Sequence, residues 1–393
     1  MRDLVFTFWH ETWTDSEWRQ FMTPDRLVRT LLAHPEVGGL LIADPFRMGP
    51  TQFVRRLQGR RPAATPMRTR PTGVVSPLRL RRKDGVGEAT LRQTYRAYDN
   101  HLRDAAQKLG LKSPAILTTN PFYAAYGPQT WAGPVTYFAF DDWAAYDDHS
   151  RWWPDYIRAY AEIRRRGQRV CAVSQNLLNR LDPIGPGLVV PNGIVPEEWQ
   201  PPWQAPDWLA PLPRPHILYT GAIHSRLDVG AVREVATRFP NGTVLFVGPV
   251  AHPEVADQLR RIPGVQVRDS VSRQLVAGLT RAVDVCIMPH HRNALTASMS
   301  PLKIYEYCAA GRPSVATDIA AVRDIHEQVV LVEEGASFAD GVERALALGP
   351  ITEEARQRFV RANSWRGRHD AILGLALPDN PAASHGKAEI ISR

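Results

Sequence analysis

Along the chain, short apolar runs rich in β-branched residues alternate with longer stretches whose apolar positions recur every three to four residues. Residues 4–9 and 40–43 read as strands, and residues 24–33 and 88–109 as amphipathic helices. Residues 115–118, 135–140 and 169–173 continue the strand pattern, 152–166 reads as a helix, and 189–193 as a strand running into a turn. This βαβ rhythm implies parallel sheets covered by helices. It breaks at residues 196–215, where Pro196, Pro201, Pro202, Pro206, Pro211, Pro213 and Pro215 accompany Trp199, Trp203 and Trp208. That composition resists both helix and interior strand. The rhythm restarts with strands at 216–220, 243–247, 265–267, 283–288, 314–316 and 329–332.

The pattern predicts an α/β fold of two Rossmann-like domains whose parallel sheets face a central cleft, the place where open sheets of this kind bind ligands. The expected boundaries are an N-terminal domain at 1–195, a linker at 196–215, a C-terminal domain at 216–362, a helix at 363–377 returning to the first domain, and a disordered polar tail at 378–393. No 20 to 50 residue period repeats.

At 393 residues the chain has room for two domains. No window approaches the roughly 20 apolar residues of a membrane span. Arg2, Asp3, His10, Glu11 and Asp15 interrupt the start of the chain, which argues against a secretory signal. Cys171, Cys286 and Cys308 are odd in number, far apart and set in apolar stretches, so reduced core thiols and a cytoplasmic location are expected.

The net charge of +8 comes from one segment. Arg55, Arg56, Arg60, Arg61, Arg68, Arg70, Arg79, Arg81, Arg82 and Lys83 fall between residues 54 and 83 with no acid among them. The segment lacks the aromatic interleaving of a nucleic-acid stacking surface. A solvated basic loop and contact with an anionic lipid headgroup or acceptor both remain open.

Residues 298–316, SMSPLKIYEYCAAGRPSVA, carry the strongest chemical signal. Ser300 and Pro301 read as N-cap and first helical residue, Gly311 as the residue past the end and Pro313 as the stop, predicting a helix of about ten residues. Its amino end, with Lys303 in the first turn, suits a phosphate. Glu306 sits one turn on, where a carboxylate can accept two ribose hydroxyls; a surface ion pair with Lys303 is the plainer reading.

Glu306, Tyr307, Cys308, Ala309, Ala310, Gly311, Arg312, Pro313, Ser314 and Val315 resemble the signature of GT-B glycosyltransferases of the retaining family-four type, close to the bacterial subgroup with S-P-L-K-x-x-E-Y. The resemblance covers roughly residues 1–375. Residues 190–193 resemble the turn closing the first domain. Residues 217–226 resemble the loop in which Gly221 admits the donor and a cation, Arg226, meets its diphosphate. Residues 268–272 fall where the family holds the nucleobase. The family's first glutamate, which touches the donor sugar, falls on Ser298, and its usual lysine after the loop cation has no counterpart at residues 227–230. The resemblance thus implies donor contacts from Gly221, His224, Arg226, Val271, Ser298, Met299, Ser300, Pro301, Leu302, Lys303 and Glu306, with Arg226 and Lys303 acting catalytically on the leaving phosphate.

In the first domain, Asp141 and Asp142 end a strand where many relatives carry a His-Asp pair, and Trp143 follows in the D-D-W form of the subgroup. A catalytic pair that orients sugar or acceptor, a helix cap with a solvated neighbour, and a metal-binding acid pair are the competing readings. Trp9, His10 and Glu11 after the first strand, with Asn120 and Trp143, are the expected acceptor contacts; a structural role for His10 and Glu11 competes.

The expected activity is glycosyl transfer from a nucleotide-sugar to an acceptor hydroxyl of a glycan, glycolipid or small natural product, with retention of configuration. No cofactor, no metal and no nucleic acid are expected, and peripheral contact with the inner face of an anionic membrane is one expected association. The alternatives are a nucleotide-sugar epimerase or hydrolase of the same architecture, and an inactive nucleotide-sugar-binding partner subunit. No G-x-G-x-x-G follows the first strand, which disfavours a nicotinamide dehydrogenase.

Overall fold

The computed structural model describes residues 1–13, 23–49, 70–80, 83–378 and 389–390. It divides into two compact units, one of Met1–Pro191 with Arg368–Arg393 and one of Asn192–Gly367. The strands of the first unit are β1 (Arg2–Thr7), β2 (Val37–Ala43), β3 (Arg47–Met48), β4 (Thr72–Val75), β5 (Leu78–Arg79), β6 (Ala115–Thr118), β7 (Val135–Ala139), β8 (Arg169–Ala172) and β9 (Gly187–Val189). Those of the second are β10 (His216–Thr220), β11 (Thr243–Val247), β12 (Val265–Arg268), β13 (Val285–Met288), β14 (Ser314–Thr317) and β15 (Val329–Val332). The last strand, β16 (Glu389–Ile390), returns to the first unit.

The first sheet runs β4-β2-β1-β6-β7-β8-β9-β16 and is parallel throughout. Phe6 on the central β1 aligns with Ile42 on one side and Leu117 on the other. All three are fully buried, as expected for strands covered on both faces. The helix Trp365–Ala376 adds Ile372, Leu373 and Ala376 to this same core. The second sheet runs β12-β11-β10-β13-β14-β15, again parallel, so its central strands β10 and β13 flank the point where the strand order reverses. Among the described residues no helix is long and apolar enough to cross a membrane. The three cysteines are free and buried, and burial pushes each thiol well up.

Three expectations change. The Pro/Trp-rich stretch at 196–215 lies inside the second unit instead of bridging the two. Trp199 and Leu209 are part of its apolar core, and buried Arg356 donates to the Trp199 carbonyl at 2.8 Å. Aromatic burial has absorbed a segment whose prolines only forbid regular structure.

The basic segment is not loop throughout, because β4 pairs with Leu40–Ala43 as an edge strand of the main sheet. Arg70 donates to the carbonyls of Pro35 and Val37 at 2.8 and 2.7 Å, and Arg79 pairs with Asp84. The cations Arg55, Arg56, Arg60, Arg61, Arg68, Arg81 and Arg82 lie outside the described residues. In the tail, Glu389 and Ile390 pair with Leu188 and Val189, against the expected disorder.

Candidate functional site

In the second unit the chain leaves β10 through Gly221, whose φ of +120° favours glycine. A Cβ at Gly221 would lie 3.3 Å from Lys303 Nζ. The neighbouring Gly248, at the end of β11, packs so closely that a Cβ there would meet the Gly221 carbonyl oxygen at 2.2 Å. The loop continues through buried His224 to Arg226, whose carbonyl accepts the His291 N–H at 2.8 Å. This bond ties the loop after β10 to the loop after β13.

Lys303 enters from the first turn of the helix Leu302–Ala309, its ammonium 4.8 Å from the centre of the Tyr219 ring. Between these cations sits His290, buried. Burial holds its pKa well below the ordinary value, with Lys303, Arg226, His224 and His291 pushing the same way. Arg226 Nε and His290 Nδ1 are buried and meet no hydrogen-bond partner among the described residues. Two cations, a desolvated imidazole and a helix amino end therefore converge at the carboxyl ends of β10 and β13, with polar capacity unspent. An anionic group fits such a place.

The helix start differs from expectation. Pro301 is the N-cap, in extended conformation, and the helix has eight residues, with Gly311 just past its end at φ +75°. Ser300 caps nothing, because its hydroxyl accepts the Asn192 N–H at 3.0 Å and its carbonyl accepts from Asn192 Nδ2 at 2.6 Å. Ser298 ends the short helix Ala294–Ser298 and is buried, as are Met299 and Pro301. Leu302 and Val271 are half-buried.

Glu306 does not pair with Lys303. Its Oε1 lies 2.5 Å from Arg273 Nη1, and Arg273 Nε donates to Glu198 Oε2 at 2.8 Å while the guanidinium packs over Trp199. Burial alone would lower Arg273, but Glu306 and Glu198 hold it above the ordinary guanidinium value. Sequence reasoning missed Arg273, Gly248 and His290. The available signals were modest: Arg273 opens the helix after residues 268–272, and Gly248 and His290 each follow a strand of the second sheet.

In the first unit, a cavity of about 510 Å³ opens beyond the carboxyl ends of β1 and β2. Trp9, His10, Thr12, Tyr95, Trp152 and Tyr156 line it, with Arg47, Arg79, Lys83, Asp84 and His149 supplying the charged and titratable edge. His10 and His149 lie 4.6 Å apart ring to ring, and Trp143 stacks on His149 at 5.4 Å. Burial holds His149 below its ordinary value against the opposing pull of Asp148. Glu11 is half-buried beside this wall, and burial, with Asp25 and Asp141 adding, pushes its carboxyl up to about 8.

Two expected site residues serve as caps, as one of the competing readings of the Asp141–Asp142 pair had it. Asp142 has no exposed surface; it caps the turn at Trp143–Ala145 through the Ala144 N–H and pairs with Arg180 at 3.1 Å. Its neighbour Asp141 is half-buried and accepts the Asp142 N–H at 2.9 Å. Asn120 is likewise buried, accepting the N–H groups of Phe122 and Tyr123 at 3.0 Å each as the N-cap of the helix Pro121–Tyr126.

Residues 214–347, most of the second unit, match the family model described as glycosyl transferases group 1. Over 186 residues the chain is 29% identical to a protein of Bacillus subtilis (strain 168) assigned to teichuronic acid biosynthesis as the glycosyltransferase TuaH. The match takes in 45% of this chain and 47% of that protein, so the chain spans about half the length of this curated relative.

Among solved structures, the trehalose-6-phosphate synthase OtsA superposes with a TM-score of 0.69 at 13% identity, covering 97% of this chain and 100% of that one. A trehalose-6-phosphate protein from E. coli, bound with UDP-2-fluoro glucose, gives 0.65 at 15% identity, covering 96% and 99%. The UDP-forming trehalose-phosphate synthase of Burkholderia xenovorans in complex with glucose-6-phosphate gives 0.64 at 11% identity, covering 95% and 99%. The fold is that of these GT-B structures: α/β, with two Rossmann-like units built on parallel sheets.

Proposed function

We propose that the protein is a glycosyltransferase that moves a sugar from a nucleoside diphosphate donor to an acceptor hydroxyl, with retention of configuration. The observation that carries this reading is that Lys303, at the Leu302–Ala309 helix start beside Gly221, and Arg226 both act on the buried His290, with Arg226 Nε meeting no hydrogen-bond partner among the described residues, inside the region matched to group 1 glycosyl transferases. Departure of a sugar from a diphosphate concentrates negative charge on the leaving phosphate. Fixed cations and backbone N–H groups in a poorly hydrated pocket stabilise that charge without reorganising. Glu306, held through one oxygen by Arg273, is the ribose contact. With no carboxylate assigned to attack the sugar from its opposite face, the leaving phosphate oxygen is the group that removes the acceptor proton. The aromatic cavity of the first unit suits a sugar-like acceptor, whose apolar ring face stacks while its hydroxyls meet polar edges. The relative's place in teichuronic acid biosynthesis supports a glycan acceptor. Contact of the basic segment with an anionic membrane belongs to the same reading, and its check is vesicle sedimentation at low salt.

The test is incubation of purified protein with a panel of nucleoside diphosphate sugars, with and without glycan acceptors, following nucleoside diphosphate release and product anomer. Release that depends on acceptor, with retention, is the expected result. Release or rearrangement of donor without acceptor would indicate a hydrolase or epimerase. Donor binding without turnover on any acceptor would indicate a partner subunit.

A further inference from the structure

At one rim of the aromatic cavity of the first unit, apolar side chains stand in water. Leu78 is 52% exposed, Leu80 86% and Val86 43%, and Leu80 is the most exposed large apolar side chain among the described residues. A single exposed leucine is ordinary on a protein surface. Three such residues within nine positions, each one or two places along the chain from a residue that lines the same cavity, form a local cluster.

The local structure puts them there. Leu78 and Arg79 form β5, which pairs with Arg47 and Met48 of β3. Side chains of an extended segment alternate, so Arg79 reaches the cavity while Leu78 and Leu80 reach the outside. Arg79 pairs with Asp84 and lies over Phe46, its guanidinium carbon 5.4 Å from the ring centre. Exposed Lys83 then holds its ammonium 5.5 Å from the centre of the Trp152 ring. Trp152 Nε1 donates to the Asp84 carbonyl at 3.3 Å, and the Gly87 N–H donates to Asp155 Oδ1 at 3.1 Å. Val86 is thus held at the surface between two anchored positions.

These parts make different demands on a ligand. Trp9, Tyr95, Trp152 and Tyr156 offer ring faces and edges to a sugar. Lys83 offers an ammonium at the rim, which suits a phosphate as a point charge. Leu78, Leu80 and Val86 offer surface that gains only by meeting an apolar group.

We propose that the acceptor is an amphiphile in which a sugar is joined through a phosphate to a long apolar chain, with the sugar in the aromatic cavity, the phosphate at Lys83 and the start of the chain over Leu78, Leu80 and Val86. This names the substrate class of the acceptor site and rests on the glycosyl transfer proposed for the protein. A free glycan would use the rings and leave the leucines wet. A bare membrane surface would meet the leucines and leave the rings unused. Rings, ammonium and leucines at one rim favour a ligand that carries all three complements.

The probes are dodecyl phosphate, below its micelle concentration, and butyl phosphate, titrated calorimetrically into the intact chain at low salt. Both bring the same phosphate to the donor site, so the quantity read is the ratio of their affinities. Each buried methylene adds about a factor of four, and with part of the chain left in water the ratio should be at least about tenfold. Leu78→Asp/Leu80→Asp should bring it close to one while nucleoside diphosphate binding stays as in the parent. Leu80→Asp alone, at a side chain already in water, serves if the double variant fails to fold. Lys83→Glu should weaken dodecyl phosphate several-fold. The proposal is overturned if the two probes bind the parent alike, or if the folded leucine variants keep its ratio. Loss of phosphatidylglycerol vesicle capture in the leucine variants, with a ratio near one in the parent, would assign the patch to the membrane surface and overturn it too. Transfer assays keep the two proposals apart: a chain-length ratio with no transfer from any nucleoside diphosphate sugar would remove the function and leave the amphiphile site, whereas transfer to soluble glycans with a ratio near one would do the reverse.

Discussion

Arg273 grips Glu306 through Oε1 at 2.5 Å, so the carboxylate proposed to meet the ribose is held in place by the chain itself. Arg273 also answers Glu198, and removing it strands two acids in a largely buried place. Arg273→Ala should therefore lower unfolding stability by about 2 to 4 kcal/mol, the range for breaking a buried ion pair with some solvent access. Glu306→Gln should leave the fold intact. It should weaken ribonucleotides more than their deoxy counterparts, because an amide cannot accept two hydroxyls as a carboxylate can. Calorimetry with matched ribo and deoxy diphosphates reads the difference, and equal losses would detach Glu306 from the ribose.

Arg226→Ala and Lys303→Ala should each cost nucleoside diphosphate binding roughly 1.5 to 3 kcal/mol while leaving the free nucleoside almost unaffected. The discriminating quantity is the ratio of the two affinities. If diphosphate and nucleoside weaken together, neither cation meets the phosphates.

Gly221 and Gly248 should respond differently to the same alanine. At Gly221 the obstructing atom is the movable end of Lys303, so Gly221→Ala should displace the ammonium and weaken diphosphate binding, with the cost of φ +120° as a moderate loss of stability. At Gly248 the obstacle is the backbone of Gly221 itself, and the loss should fall chiefly on folding. Thermal melts paired with binding isotherms separate the two; identical behaviour would contradict this division.

The sheets were readable because parallel strands covered on both faces are near-continuous apolar runs, as β10 and β13 are. The places of Gly221, directly after β10, and of Lys303, in the first turn of a helix, were also readable, since each stands at the end of a regular element. What stayed hidden depends on distant partners. Ser300 looks like an N-cap, yet its hydroxyl is claimed by Asn192, 108 positions away. The cap that Asp142 makes to the Ala144 N–H was among the readings the sequence offered, but its ion pair with Arg180 leaves no local mark. Thr72–Val75 looks like loop among arginines and prolines because its hydrogen bonds come from Leu40–Ala43. Arg273 carries no local mark of its two acidic partners.

If Arg226, Lys303 and a helix start meet the phosphate charge, the chain itself supplies what a divalent ion provides elsewhere. Transfer should then persist in excess EDTA at most of its rate. Complete loss on chelation, reversed by manganese, would overturn that mechanism and return Asp141 and its acidic neighbours to consideration as a donor-metal site.

Glu11 gives a pH signature that belongs to the first unit. Burial, with Asp25 and Asp141, raises its carboxyl from the ordinary 4.5 to about 8. The folded chain thus keeps a proton that the unfolded chain releases near pH 4.5. Between those values folding takes up a proton, so the contribution of Glu11 to stability is complete below pH 4.5 and drains away as pH rises through 8. Each unit of pKa difference corresponds to about 1.4 kcal/mol; because the side chain keeps part of its surface in water, the loss should be on the order of 2 kcal/mol. Glu11→Gln cannot titrate and mimics the protonated form. Chemical denaturation of both proteins from pH 4.5 to 8.5 isolates the effect, because every other group titrates alike in the two. The variant should gain on the parent steadily as pH rises, and curves that stay parallel would show that Glu11 ionises as an ordinary surface carboxylate.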